Sequence, residues 1–401
     1  VARDASGKIS VKEVSDRGTS GAGVGLAVGA LVGLLAGPVG MAVGAVTGTL
    51  AGSIRDFWVA GVDLDFVEEA EKMLLPGKVT LVAEVDEEWV VPVDAALEDV
   101  DVVFHLAAMV GNGQSMFDIR RYTDVNVMGT ATLMEAIATR AKKPSRVVVS
   151  SSMVVYGDGA YACAEHGALD SADRPKERLE RRQWEPVCPL CGAEVSPIAT
   201  LETHPLRPTS TYGTSKRAQE ELALVLGRAY AVPTVALRYL NTYGSRQALS
   251  NPYTGVAAIM ASRLLNGRAP TIFEDGLQLR DFTHVSDVVR ANLAAASAPE
   301  PAWYEAFNVG TGRSVRIHEV AEALARGLCV DIRPAITGQF RQGDIRHCFA
   351  DVSKAERLLG FRATVGFADG ARELVAWARG ETPIDRSDEA NEELRARGML
   401  S

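Results

Sequence analysis

Two patterns of apolar and polar positions divide the chain. Beyond residue 78, short apolar runs alternate with helical stretches: "KVTLVAEV" (78 to 85), "DVVFHLAA" (101 to 108), "RVVVSSS" (146 to 152) and "TVALRYLN" (234 to 241). Continuous runs of this length, rich in valine, predict strands buried on both faces, as in a parallel sheet. Apolar spacing of three and four predicts helices at 124 to 140 and 212 to 229. Strand and helix in alternation predict a doubly wound α/β sheet, which places ligands at the carboxyl ends of its strands.

The first part reads differently. No charged residue occurs from Gly18 to Ile54, and glycines recur every four positions at Gly25, Gly29, Gly33 and Gly37, then at Gly40, Gly44, Gly48 and Gly52. That period lines each series along one helical stripe where backbones can approach closely. Pro38 separates the series, so a helical hairpin is expected. Each arm has about 16 residues, short of the roughly 20 that cross a bilayer comfortably. A buried hairpin and one that contacts membrane or self-associates through residues 22 to 54 both stay open. Residues 1 to 77 resemble a small bacterial glycine-zipper domain of predicted membrane proteins, including "KISVKEV" before the hairpin and "DLDFVEEAEKML" after it.

Composition narrows the partners. A net charge of -9 and a pI near 5.4 exclude a nucleic-acid binder, which needs concentrated lysine and arginine. The basic run "RPKERLERR" (174 to 182) alternates with acids and is expected to be a solvated helix face. Five cysteines and no leader pattern at the start suggest a reducing, cytoplasmic setting, membrane-associated if the hairpin engages a bilayer. The chain opens on Val1, which leaves room for upstream sequence.

Candidate chemistry gathers where the apolar runs end. In "STYGTSK" (210 to 216), Tyr212 and Lys216 share one helix face, and an ammonium beside a phenol favours the phenolate. His105, Ser152 and Asn241 close three of the apolar runs. His105 is expected to be a hydrogen-bonded strand-end residue, and Asn126 to support the site by fixing a helix start or bridging strands.

Together with "HLAA", "SSSMVVYG", "LRYLNTYGSRQ", "DGLQLRDFTHVSDV", "FNVGTG" and "RQGDIRHCFADVSKAERLLG", in this order, "YGTSK" resembles the extended short-chain dehydrogenases/reductases, specifically the NAD-dependent nucleotide-sugar epimerases. The resemblance implies a Rossmann-like sheet with a small C-terminal substrate domain, NAD as cofactor, a nucleotide-diphosphate sugar as substrate and a homodimer. It implies Tyr212 as proton carrier for a sugar hydroxyl, Lys216 at the nicotinamide ribose, and Ser152 on the reacting oxygen. Asp86 would meet adenine, with Ala107 and Tyr239 along the cofactor. Asn241, Arg280, Arg341 and Asp344 would hold the sugar nucleotide. Dehydratases of this family carry an Asp-Glu pair where this chain has Met153 and Val154, so epimerisation or keto-sugar reduction remains.

The family's fingerprint, a strand followed by "TGxxGxxG", has no match, and the zipper glycines lie on apolar helices whose interiors offer no free backbone N–H. The first βαβ unit is therefore expected to be missing, with a glycine-zipper domain over 1 to 77 and the truncated reductase domain over 78 to 401. NAD binding would be impaired accordingly. A membrane-tethered module that binds sugar nucleotides without turnover, or an artificial joining of two families, stays open beside an enzyme.

An insert at 159 to 206 carries "CAEH" (163 to 166) and "CPLC" (188 to 191). Cys163, His166, Cys188 and Cys191 have the paired spacing of a tetrahedral structural zinc. Cys329 and Cys348 read as core thiols.

Overall fold

The computed structural model describes residues 2–3, 9–10, 80–82, 97 and 100–401, apart from 173, 254 and 342. The glycine series and Asp86 lie outside these residues. Among the described residues no helix is long and apolar enough to cross a membrane. The chain divides into two compact units, residues 1–105 with 132–147, and residues 106–131 with 148–401.

In the first unit, Thr80–Val82 pairs in parallel with Val102–His105, Thr80 opposite Val102. Ser145 ties the next turn to this strand, its amide and hydroxyl both donating to the Asp101 carbonyl at 2.8 Å. Ala2–Arg3 and Ile9–Ser10 form a small antiparallel pair.

The second unit is built on the strand Arg146–Ser152, from residue 148 onward, and on Thr234–Tyr239 and Glu305–Val309, side by side in that order. The last two run parallel, with Glu305 opposite Val235 and Val309 opposite Tyr239. Valine-rich runs form the first two strands as expected, and all but their final residues are buried. The strand Glu305–Val309 escapes an alternation test because its buried positions include Asn308. The expected helix from residue 124 begins as a π-helical turn, Asp124–Met128, before Gly129–Thr139, and the second runs from Thr211 to Ala229.

The smaller C-terminal part packs the helices Val256–Leu265, Ile317–Leu328 and Phe367–Ala378 around one core. Ile317, Val320, Ala321 and Leu324 form its central stripe at helical spacing. Glu319 starts that helix by accepting from the Arg316 amide at 2.9 Å. Cys329 ends it in a left-handed turn and is exposed, correcting the core reading, whereas Cys348 is buried.

The insert folds on an antiparallel sheet with Tyr161–Cys163 between Gly167–Leu169 and Ser196–Pro197. The basic run is helical only over Lys176–Glu180, and Arg174 corrects the solvated reading: its guanidinium is inward, bonded to Glu274 and to the Asp344 carbonyl. An arginine placed inward needs such partners, and two neighbouring loops supply them.

Candidate active site

The site begins with a helix start. Ser210 is extended, and its hydroxyl accepts from the Gly213 amide at 3.0 Å, capping Thr211–Ala229. Tyr212 thus stands in the first turn and Lys216 one turn on. A Cβ at Gly213 would lie 2.8 Å from the Val154 carbonyl oxygen, so only glycine lets this turn approach the end of Arg146–Ser152 so closely. The approach brings the first turn of this helix, with Tyr212, against the segment Met153–Tyr156 that follows Ser152, where the Ser152 side chain lowers the phenol's pKa. Tyr122 packs edge-on against Tyr212 with centroids 6.1 Å apart, held by its own hydroxyl on the Val110 carbonyl at 2.8 Å.

Lys216 does not lean on the phenol, which corrects the sequence expectation. Its ammonium donates to the Ser150 carbonyl, to Gln219, and to Ser150 Oγ at 3.3 Å. Three donors meet three acceptors, so a fully enclosed charge is satisfied away from Tyr212. Burial pushes Lys216 down to about 7 against the opposing influence of Glu220. Burial likewise raises the Tyr212 phenol, and neighbouring Ser152 offsets only part of this.

Behind these residues runs a buried polar chain that the sequence reading missed. Ser151 donates to Glu220 at 2.6 Å, and Glu220 takes both arms of Arg238, at 3.0 and 2.6 Å. Arg238 also donates to the Tyr156 hydroxyl at 2.8 Å, and Tyr156 donates to Asn308 at 2.7 Å. The chain fastens the helix Thr211–Ala229 to Arg146–Ser152, Thr234–Tyr239 and Glu305–Val309. The signal was present: a charge inside "TVALRYLN" must be paired if that strand is buried. Glu220→Ala leaves the guanidinium enclosed and unpaired, so a loss of about 3–5 kcal/mol is expected in denaturant unfolding. A loss under about 1 kcal/mol would show that water already reaches Arg238.

The loop after residue 105 is held by Asn126. Its side-chain oxygen accepts from the Met109 amide at 2.8 Å, and its nitrogen donates to the Met109 carbonyl at 3.1 Å and to Ser215 Oγ at 2.8 Å. Asn126 therefore bridges this loop to the helix Thr211–Ala229, a supporting role. Ala107, in that loop, is buried, and so is His105 at its strand end.

On the opposite side, Tyr239 donates to Asn292 at 2.8 Å. Asn241 opens a short strand, its amide bonded to the Asp281 carbonyl at 2.9 Å, while its buried side-chain oxygen has no hydrogen-bond partner. Arg341 lies over the Phe273 ring at 4.5 Å and has its Nε 3.3 Å from Asp344, ion-pair distance without hydrogen-bond geometry. Arg280 departs from the expectation of a phosphate contact. Its fork is spent on the carbonyls of Leu279, Ile345 and Arg346, where it ties neighbouring backbone together. Away from these groups, the ligand atoms of Cys163, His166, Cys188 and Cys191 lie within 4.8 Å of one another.

Comparison with known proteins adds to this geometry. The profile of the NAD dependent epimerase/dehydratase family matches residues 85–177 and 191–310. A profile described as a protein of unknown function (DUF1269) matches residues 20–107, which includes the glycine series and supports no zipper assignment. The chain is 34% identical over 297 residues to dTDP-L-rhamnose 4-epimerase of Burkholderia thailandensis, covering 74% of this chain and 79% of that protein. It is 29% identical to a putative UDP-glucose 4-epimerase of Methanocaldococcus jannaschii, covering 70% of this chain and 78% of that one. Among solved structures, UDP-glucose 4-epimerase of Thermotoga maritima with UDP-glucose aligns with a TM-score of 0.60 at 27% identity, covering 77% and 89% of the two chains. UDP-glucuronic acid 4-epimerase of Bacillus cereus, in complex with UDP-glucuronic acid and NAD, aligns at 0.55 and 26% identity, covering 72% and 78%.

Proposed function

The chain belongs to the NAD dependent epimerase/dehydratase family, and from that premise we propose that residues 78 to 401 bind a nucleotide-diphosphate sugar and epimerise it, or reduce its keto form, through Ser152, Tyr212 and Lys216. The observation that carries the reading is the close approach of the helix start bearing Tyr212 and Lys216 to the carboxyl end of the buried strand that closes on Ser152, which only glycine at 213 permits. A sugar hydroxyl entering there would exchange its proton with the phenol while Ser152 holds the same oxygen. NAD, when bound, supplies a reversible hydride acceptor.

The residues present fit its nicotinamide half. Lys216 can exchange its 3.3 Å contact with Ser150 Oγ for a ribose hydroxyl, and Tyr239 flanks the strand end. No described residue is assigned to the pyrophosphate, and the sequence lacks "TGxxGxxG". That feature favours a second reading, a sugar-nucleotide binder without turnover. Met153 and Val154 supply no acid or base for eliminating water. A structural zinc at Cys163, His166, Cys188 and Cys191 belongs to the same reading and stays outside the reaction.

Substrate recognition rests on Arg341, Asp344 and the unpartnered Asn241 oxygen. Calorimetry should detect binding of a uridine or thymidine diphosphate sugar. Arg341→Ala should weaken it about tenfold to a hundredfold, the worth of one charge-assisted contact. Absence of binding to either nucleotide sugar would sink the reading.

A further inference from the structure

We infer that Cys163, His166, Cys188 and Cys191 hold one zinc ion, and that this ion keeps Glu185 against Arg346 and His347, so that the metal fixes the segment 341–348. The first half rests on spacing. Zn–S and Zn–N bonds of about 2.3 and 2.05 Å in a tetrahedron give edges of about 3.8 Å between sulfurs and about 3.6 Å between sulfur and nitrogen. Cys163 Sγ stands 3.7 Å from Cys191 Sγ, and His166 Nδ1 stands 3.5 and 3.6 Å from the sulfurs of Cys163 and Cys188. The sulfurs are too far apart for a disulfide, and the thiols are free.

The backbone is built for the same purpose twice. "CAEHG" and "CPLCG" each end in a glycine at positive φ, 69° at Gly167 and 74° at Gly192, and a Cβ on either would touch nothing. Glycine is required there by the turn itself, which folds a ligand pair toward a common centre. Gly192 donates to the Cys188 carbonyl and Cys188 to that of Ala193, both at 2.8 Å. Beneath the four side chains the buried apolar cluster is small, Tyr161, Cys163, Leu169, Cys188 and Val195 with Ala172 against it, and a second one joins Leu179 and Trp184 to Phe340. So small a core needs another source of folding energy, which a metal supplies.

The second half follows from what the insert holds. Glu185, just ahead of the second ligand pair, accepts from Arg346 with one oxygen, and its other oxygen lies 2.8 Å from His347 Nε2. Burial works against its charge, yet the bonds from His347 and Arg346 bring Glu185 down to about 2. Tyr161, on the Cys163 strand, accepts from the His347 amide at 3.2 Å, and Gly159 donates to the His347 carbonyl at 2.8 Å. Arg346 is fully buried, with Glu274 and Asp275 as its other anions. Both metal-ligating pairs therefore bear on the stretch that carries Arg341 and Asp344. Only the consequence for substrate rests on the function proposed above.

Elemental analysis of the full purified chain should find about one zinc per molecule, lost in Cys188→Ser. Hydrogen exchange should show the 341–348 amides about tenfold faster after chelation, slowed again by added zinc. Glu185→Gln should retain zinc and show the same acceleration, which separates the clamp from general unfolding of the insert. A chain without zinc, or one whose 341–348 amides ignore both chelation and Glu185→Gln, overturns the inference. Uridine diphosphate should bind about tenfold more weakly to Glu185→Gln. If it binds neither form while exchange responds as stated, the function proposed above fails and the metal clamp stands.

Discussion

The chain of 401 residues is expected to bind NAD several powers of ten more weakly than the same chain given a βαβ unit carrying "TGxxGxxG" ahead of residue 78. The unit would contribute a helix N-terminus whose free amides receive the pyrophosphate. Each charge-assisted contact of this kind is worth about 1.5–3 kcal/mol, and about 1.4 kcal/mol is tenfold in affinity. Two or three contacts then separate the two chains, while Lys216 and Tyr239 contribute equally to both. Parallel titrations by calorimetry give the comparison. Equal, tight binding by both chains would mean that the pyrophosphate has another cradle and that the missing fingerprint costs nothing.

The parts of the site legible in sequence were those fixed by local pattern. Continuous valine-rich runs located the strands ending at Ser152 and Tyr239, since a strand buried on both faces has little room for polar residues. Four-residue spacing put Tyr212 and Lys216 on one face, and the Ser210 cap fixed where that face begins. Choices among competing acceptors were not legible. Whether Lys216 turns to the phenol or to Ser150 and Gln219 depends on a carbonyl brought close by a strand remote in sequence. Arg280 presents the same difficulty: its fork suits phosphate and backbone carbonyls alike, and the 345–346 carbonyls lie nearer. The convergence of the four insert side chains was legible for the opposite reason, since Cys163 with His166 and Cys188 with Cys191 are each paired by local spacing.

In the chain given the βαβ unit, Tyr212→Phe should lower turnover by about two to four powers of ten, the usual worth of a positioned general acid and base. Sugar-nucleotide affinity should change little, because Asn241, Arg341 and Asp344 are untouched and phenylalanine keeps the ring packed against Tyr122. The structure adds a pH dependence. Burial holds the phenol above its ordinary range, and Ser152 only partly compensates, so near neutral pH Tyr212 carries its proton. The neutral phenol is ready to protonate a keto sugar, whereas taking a proton from a hydroxyl needs the phenolate. Oxidation of the hydroxyl should therefore accelerate as pH rises above neutrality, and reduction should not. Lys216, pushed down to about 7, loses its charge over the same interval. Any help the ammonium gives the phenolate fades as it loses its proton, so the rise should be shallower than tenfold per pH unit. A Phe variant that retains turnover would move the proton transfer away from Tyr212 and leave Ser152 as the group nearest the reacting oxygen.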